Sequence, residues 1–346
     1  MGDDLNPMDV INAIIADFPD HKKRTRPVHV NGVGVLGHFR ASDAAAAYCS
    51  AEIFNGSDIR ATVRFSNGSG DFRRNDSLND VRGMATRFHL GEDRACDLIA
   101  MTLGEFFAAT PDEFMAFTKE SKPEAARGES AWQKLCDMLK LELPLPDPRP
   151  GQKYDTALGA LNYANRHAFA RQAVADTSVI GAPVSYARAA YHAVNTFIAI
   201  APDEHRRHVR FDWQPVAGVR KAGPNETRAA YLNEELGARV KHWPARFILN
   251  MIIGEDGDPL HDPSKPWPRR RKKISMGTLY LTDVPDDPDQ KEFLATKISF
   301  NPGRLLPGLE MSPLDPILQL RKRVYERSRE LRGGAICPFS GGSADE

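Results

Sequence analysis

The stretch LRKRVYERSRELR (320–332) sets a single tyrosine, Tyr325, among lysines and arginines. At helical spacing Arg321 and Tyr325 are neighbours one turn apart. They share a stripe with Ile317, Leu318, Val324 and Ser328, the face such a helix should bury. A buried arginine needs a partner, because an unpaired interior charge is too costly. A phenolate would be one. Holding a phenol of pKa near 10 ionised at neutral pH takes roughly 4 kcal/mol. One guanidinium does not meet that whole cost; a ferric ion bound to the oxygen would. The spacing alone equally allows an ordinary packed helix face, with Lys322, Arg323, Arg327 and Arg329 solvated on other sides, or a nucleic-acid patch.

A second stretch, TRPVHVNGVGVLGHF (25–39), contains His29 and a literal GxGxxG at Gly32, Gly34 and Gly37. A dinucleotide fingerprint requires the third glycine to open a helix. Here His38 and Phe39 continue the strand pattern instead, so the glycines predict a curved strand or close backbone approach to a flat ligand. In VRFSNGSG (63–70), Arg64 and Ser66 are two apart and share a strand face. A His29–Ser66 pair would orient the imidazole, although the spacing leaves a structural histidine open.

The elements that must carry these groups are mostly strands. Period-two apolar segments read at 28–39, 61–66, 83–90, 96–101, 194–200, 208–213, 246–254 and 273–281. Between the two groups of four lies a helical block, expected over 110–180. Thr110 followed by Pro111, Asp112 and Glu113 is a helix start, and LELPLPDPRPG (141–151) is a connector. The last helix is capped by Asp315, begins at Pro316 and stops at Gly333-Gly334. This order predicts an α+β fold: an antiparallel eight-stranded β-barrel with a helical insertion and a C-terminal helix, as one domain over 1–346. Residues 1–24 read as an N-terminal arm and 334–346 as a tail.

Lysine plus arginine equals aspartate plus glutamate at 46 each, so no global field recruits nucleic acid or an anionic membrane. No apolar run is long enough to span a bilayer. The four cysteines, Cys49, Cys96, Cys136 and Cys337, are scattered without a CxxC pair, which argues against a zinc site or disulfide framework. The expectation is a soluble, cytoplasmic protein.

Together these stretches resemble the haem catalase family, in its small-subunit, catalase-related peroxidase branch. RPVHVNGVG, VRFSNGSG, DVRGMATRFH, DLIAMTLGEFFAATPDEF, FNPGRLLPGLEMSP and RKRVY occur in family order across roughly Arg24 to Arg332. The resemblance implies haem b held by Tyr325 as axial phenolate, tyrosine being the catalase haem ligand, with Arg321 as the cation beside it. It makes His29 the distal acid/base and Ser66 its orienting partner. Arg26, Arg64 and Arg332 become partners of the haem propionates, and Val28, Phe106, Phe107 and Phe114 walls of a dry pocket. The implied reaction reduces hydrogen peroxide or an organic hydroperoxide with a small organic electron donor.

Two departures from the family pattern bear on that reading. Met101 stands where the family has a distal asparagine, and a thioether cannot donate the amide's hydrogen bond. Weak catalase activity is therefore expected. The chain also ends about twenty residues after Tyr325, which implies a more open access route and a small oligomer, a homodimer. The alternative function is a non-catalytic haem-binding or haem-handling protein on the same fold.

Overall fold

The computed structural model describes residues 5–18, 21–22, 25–91, 94–121, 131–140 and 159–334. Eight long strands follow the eight apolar segments: β1 (Gly32–Ala41), β2 (Asp58–Asn67), β3 (Arg82–His89), β4 (Ala95–Met101), β5 (Tyr191–Ile200), β6 (Arg206–Pro215), β7 (Ala245–Ile253) and β8 (Lys273–Asp283). They pair antiparallel in the order β4-β3-β2-β1-β8-β7-β6-β5, and β4 pairs back onto β5 through Met101 and His192, closing the barrel. A short ninth strand, β9 (Leu309–Met311), adds to β5.

Alternation sorts each strand into an inner and an outer face. Phe65, Met84, Phe88, Leu98, Tyr191, Phe211, Trp213 and Leu249 fill the interior. Aromatic edges interlock there, as in the Phe39–Phe88 pair with centroids 5.1 Å apart. The intervening residues of β2 to β5 face outward, and they form one wall of the cavity described below.

The helices α1 (Pro7–Ile15), α2 (Pro111–Glu120), α3 (Ala131–Leu139), α4 (Ala160–Arg166), α5 (Ala168–Val179), α6 (Leu232–His242), α7 (Pro288–Glu292) and α8 (Pro316–Arg332) complete the chain. At α2 both halves of a capping box are present, Thr110 with Glu113. The segment read as an extended arm is helical at α1, where Val10 packs with Met115 of α2 and Leu320 of α8. Two further elements lie outside the segments expected from the sequence: α6, whose Leu232, Leu236 and Val240, at helical spacing, join the barrel core, and a π-helical turn at Phe293–Lys297 after α7. The expected connector at 141–151 and all of the tail but Gly334 lie outside the described residues.

The expected strand over 28–39 starts only at Gly32. Its glycines admit neighbouring chain rather than a flat ligand. A Cβ on Gly34 would lie 2.2 Å from Leu294 Cβ, and one on Gly37 2.0 Å from the Tyr280 carbonyl oxygen.

Candidate active site

A cavity of about 530 Å³ lies between the outer face of β2–β5 and helices α1, α2 and α8, within the size range of cofactor sites. His29, Ser66, Arg26, Val28, Arg64, Phe106, Phe107, Phe114, Arg321, Arg332 and Tyr325 all line it, as does Met101. The residues singled out from the sequence therefore converge on one space.

His29 precedes β1 in a left-handed backbone conformation with φ 57°, sparsely populated for a residue with a side chain. Its N–H donates to the Gly68 carbonyl at 3.2 Å, and its own carbonyl accepts from Arg64 Nη2 at 2.9 Å. These contacts turn the imidazole onto the barrel wall, where Nδ1 lies 3.0 Å from Ser66 Oγ. Gly83 makes room for the ring: a Cβ there would sit 3.0 Å from His29 Nδ1 and Cε1 and from Ser66 Oγ. Burial, and next the neighbouring Arg64, lower the His29 pKa to about 4. The ring is thus neutral at pH 7, and in the tautomer whose Nδ1–H donates to Ser66 Oγ, Nε2 keeps its lone pair.

Opposite, α8 presents the face expected from its spacing. Ile317, Leu320, Arg321, Val324, Tyr325, Ser328 and Arg332 reach the cavity. Asp315 caps the helix by accepting from the Leu318 N–H at 2.9 Å, and Gly333 ends it in the left-handed conformation. Arg321 Nη2 donates to Tyr325 Oη at 3.3 Å, and Nη1 donates to Asn195 Oδ1. Asn195 in turn donates to Asp315 Oδ2 at 2.9 Å. A register break in β5 between Ala193 and Phe197 frees this stretch from β6, and the Thr196 N–H turns to Asp315 Oδ2 as well. Neither Asn195 nor the break shows in a strand that reads as apolar. The helix offers no continuous basic surface: Arg321 and Arg332 turn inward and Arg327 pairs with Glu330 at 2.9 Å.

Arg26, Arg64 and Arg332 converge on the π-helical turn. Arg64 Nε donates to the Ala295 carbonyl at 2.7 Å, Arg26 Nη1 to Thr296 at 2.7 Å, and Arg332 Nη1 to Thr296 at 2.9 Å. Among the described residues none of the three meets a carboxylate within ion-pair distance, and Arg332 Nε is buried without a hydrogen-bond partner. Burial lowers the pKa of Arg64 and of Arg332 to about 10, and it lowers that of Arg26, which the neighbouring Arg64 and Arg332 depress further. Three cations held so close without a counter-charge suit a ligand carrying carboxylates.

The remaining walls are apolar and aromatic. Phe106 packs on Phe114 with centroids 5.4 Å apart, and Phe107 stacks on Phe117 at 5.1 Å. Phe300 lies at the edge, set by a fully buried ion pair. Arg87 Nε donates to Asp97 Oδ1 at 2.8 Å, Asp97 Oδ2 accepts from the Asn301 N–H at 2.9 Å, and Arg304 also reaches Asp97.

The catalase family model matches residues 8–143. A catalase-related peroxidase of Mycolicibacterium paratuberculosis is 31% identical over 312 residues, 89% of this chain and 89% of that one. The chain belongs to the catalase family, in its catalase-related peroxidase branch. A catalase-related peroxidase of Synechococcus elongatus is 25% identical over 95% of this chain and 89% of its own length. Catalase-2 of Bacillus subtilis matches at 25% over 94% of this chain but only 48% of its own. A crystal structure of a fungal catalase superposes with a TM-score of 0.72 at 20% identity, covering 94% of this chain and 64% of that one, which shows the catalase fold. Enzymes of this family are haem-dependent oxidoreductases, and the three unneutralised arginines beside an apolar cavity fit a haem and its propionates. Among the described residues no helix is long and apolar enough to cross a membrane.

Proposed function

We propose that the protein is a peroxidase that holds haem b and reduces hydrogen peroxide or organic hydroperoxides with a small organic electron donor. The observation that carries this reading is the opposition, across one cavity, of a neutral His29–Ser66 pair and the Arg321–Tyr325 pair. Beside them stand three arginines without carboxylate partners.

In this reading Tyr325 Oη would ligate the iron, and Arg321, steadied by Asn195 and Asp315, donates a hydrogen bond to that oxygen. Arg26, Arg64 and Arg332 hold the propionates, while Val28, Phe106, Phe107 and Phe114 exclude water from the ring. When bound, haem supplies the iron at which the O–O bond is cleaved and the oxidising equivalents are stored. His29 Nε2 takes the proton of an incoming peroxide and delivers it to the departing oxygen. Ser66 fixes the ring so that the same nitrogen performs both transfers. Met101 leaves the far side of the pocket without an amide donor, so oxidation of a second hydrogen peroxide is slow and an organic donor takes its place.

Absorption spectroscopy of Tyr325→Phe tests the reading. The unmodified protein should bind haem with high-spin ferric tyrosinate features, and the variant should lose those features or the haem. An unchanged spectrum in the variant would remove Tyr325 from the iron.

A further inference from the structure

The register across the barrel wall lines up residues that the sequence keeps far apart. Ser66 pairs with Gly83, Gly83 with Met101, and Met101 with His192. All four belong to the outward set and line the cavity. Neighbouring positions in such a row are about 5 Å apart. His192 thus stands roughly 10 Å along the row from Gly83, over which the His29 ring lies, with Met101 between. Among the described residues no hydrogen bond engages the His192 imidazole.

The row continues to Asp212 of β6, the cross-strand partner of His192. Asp212 is fully buried and accepts from Asn250 Nδ2 at 2.8 Å and Lys273 Nζ at 2.8 Å. His192 is therefore a polar ring facing an apolar cavity, with a fixed carboxylate beside it and Lys273 beyond. A polar group so placed calls for a partner from within the cavity. Burial lowers its pKa, so the ring is neutral and offers an acceptor nitrogen.

We propose that His192 contacts the organic electron donor, accepting the hydrogen bond of a phenolic hydroxyl at the Met101 end of the cavity. The assignment rests on the peroxidase reading above. A phenol suits both parts of the surroundings: a flat aromatic body for walls built from Phe106 and Phe107, and one O–H for one acceptor. In one-electron oxidation ArOH becomes ArO•. Its electron goes to the cofactor and its proton to the His192 ring nitrogen, where the imidazolium is stabilised by Asp212 and later discharged. Two turns balance one peroxide: ROOH + 2 ArOH gives ROH + H₂O + 2 ArO•.

The test is the affinity of the resting, haem-loaded protein for 4-fluorophenol, read by ¹⁹F NMR with no peroxide present. His192→Phe keeps the bulk and removes the acceptor, and should weaken binding roughly 5- to 10-fold, the worth of one hydrogen bond. His192→Gln restores a hydrogen-bonding group and should stay within about threefold of the unmodified protein. The specificity constant for phenol oxidation should fall with the affinity in the phenylalanine variant. Equal affinity in His192→Phe, or a loss in His192→Gln as large as in His192→Phe, would overturn the proposal. Because binding is read without turnover, failure of the peroxidase reading would appear separately, as an unmodified protein that does not consume peroxide.

Discussion

Alanine at position 83 should damage the reaction with peroxide without replacing any group that performs it. A Cβ there would meet His29 Nδ1, His29 Cε1 and Ser66 Oγ, each at 3.0 Å. Ordinary van der Waals contact begins near 3.4 Å, so ring and hydroxyl must each retreat by a few tenths of an ångström. They have little room to do so. The His29 backbone is tied by Gly68 and Arg64 in an unfavourable conformation, and Ser66 is fixed in β2. The methyl group therefore wedges between partners now 3.0 Å apart and stretches their bond toward its geometric limit. Overpacking of this kind costs about 1–3 kcal/mol of stability. A misplacement of 1 Å costs about 10²-fold in rate, so a few tenths of an ångström should cost about three- to fivefold. Stopped-flow mixing of the haem-loaded variant with peroxide measures the rate, and denaturant unfolding the stability. Adding Ser66→Ala removes one of the three clashes, so the double variant should lose less than the product of the single losses. A Gly83→Ala protein that reacts at the unmodified rate would show that the wall does not pin His29.

His29→Ala should slow the peroxide reaction by about 10²-fold or more while haem stays bound; stopped-flow rates equal to the unmodified protein would return His29 to a structural role. Met101→Asn should raise oxygen evolution several-fold relative to dye oxidation, one added donor being worth roughly 1 kcal/mol, and an oxygen electrode showing no gain would remove Met101 from control of the outcome. Burial holds His29 and His89 neutral, with pKa values of about 4 against 6.5 in an unfolded chain. Between those values the unfolded state binds protons that the folded state refuses, so these two histidines should cost stability as pH drops from 6.5 toward 4, against the opposite contribution of Glu105, whose pKa burial raises to about 7. A denaturant midpoint whose pH dependence over that window is unchanged in His89→Gln would contradict it.

How much of this was legible beforehand differs between the parts of the molecule. All eight barrel strands were readable because alternate residues of each point into the apolar barrel interior, and a period of two survives in any sequence that does so. The α8 stripe was readable for the same reason at period 3.6: Arg321 and Tyr325 are neighbours on any helix. Local chemistry also marked the caps at Thr110 and Asp315. The departures came where long-range contacts overrule local pattern. His29, inside the strand predicted over 28–39, lies outside the observed β1 because Gly68 and Arg64 hold its backbone in the left-handed region. Gly34 and Gly37 answer to Leu294 and Tyr280, more than 240 positions away, rather than to a ligand. Asn195 looks like one more residue of an apolar strand until the break in β5 turns it to Arg321. Gly83 and His192 acquire meaning only from register, which depends on how β2, β3, β4 and β5 slide against one another when the barrel closes. Periodicity reports which face a residue takes, since that follows from the geometry of its own element. Which residues stand beside it is decided by strands far off in the chain, and only the folded barrel brings Ser66, Gly83, Met101 and His192 into one row.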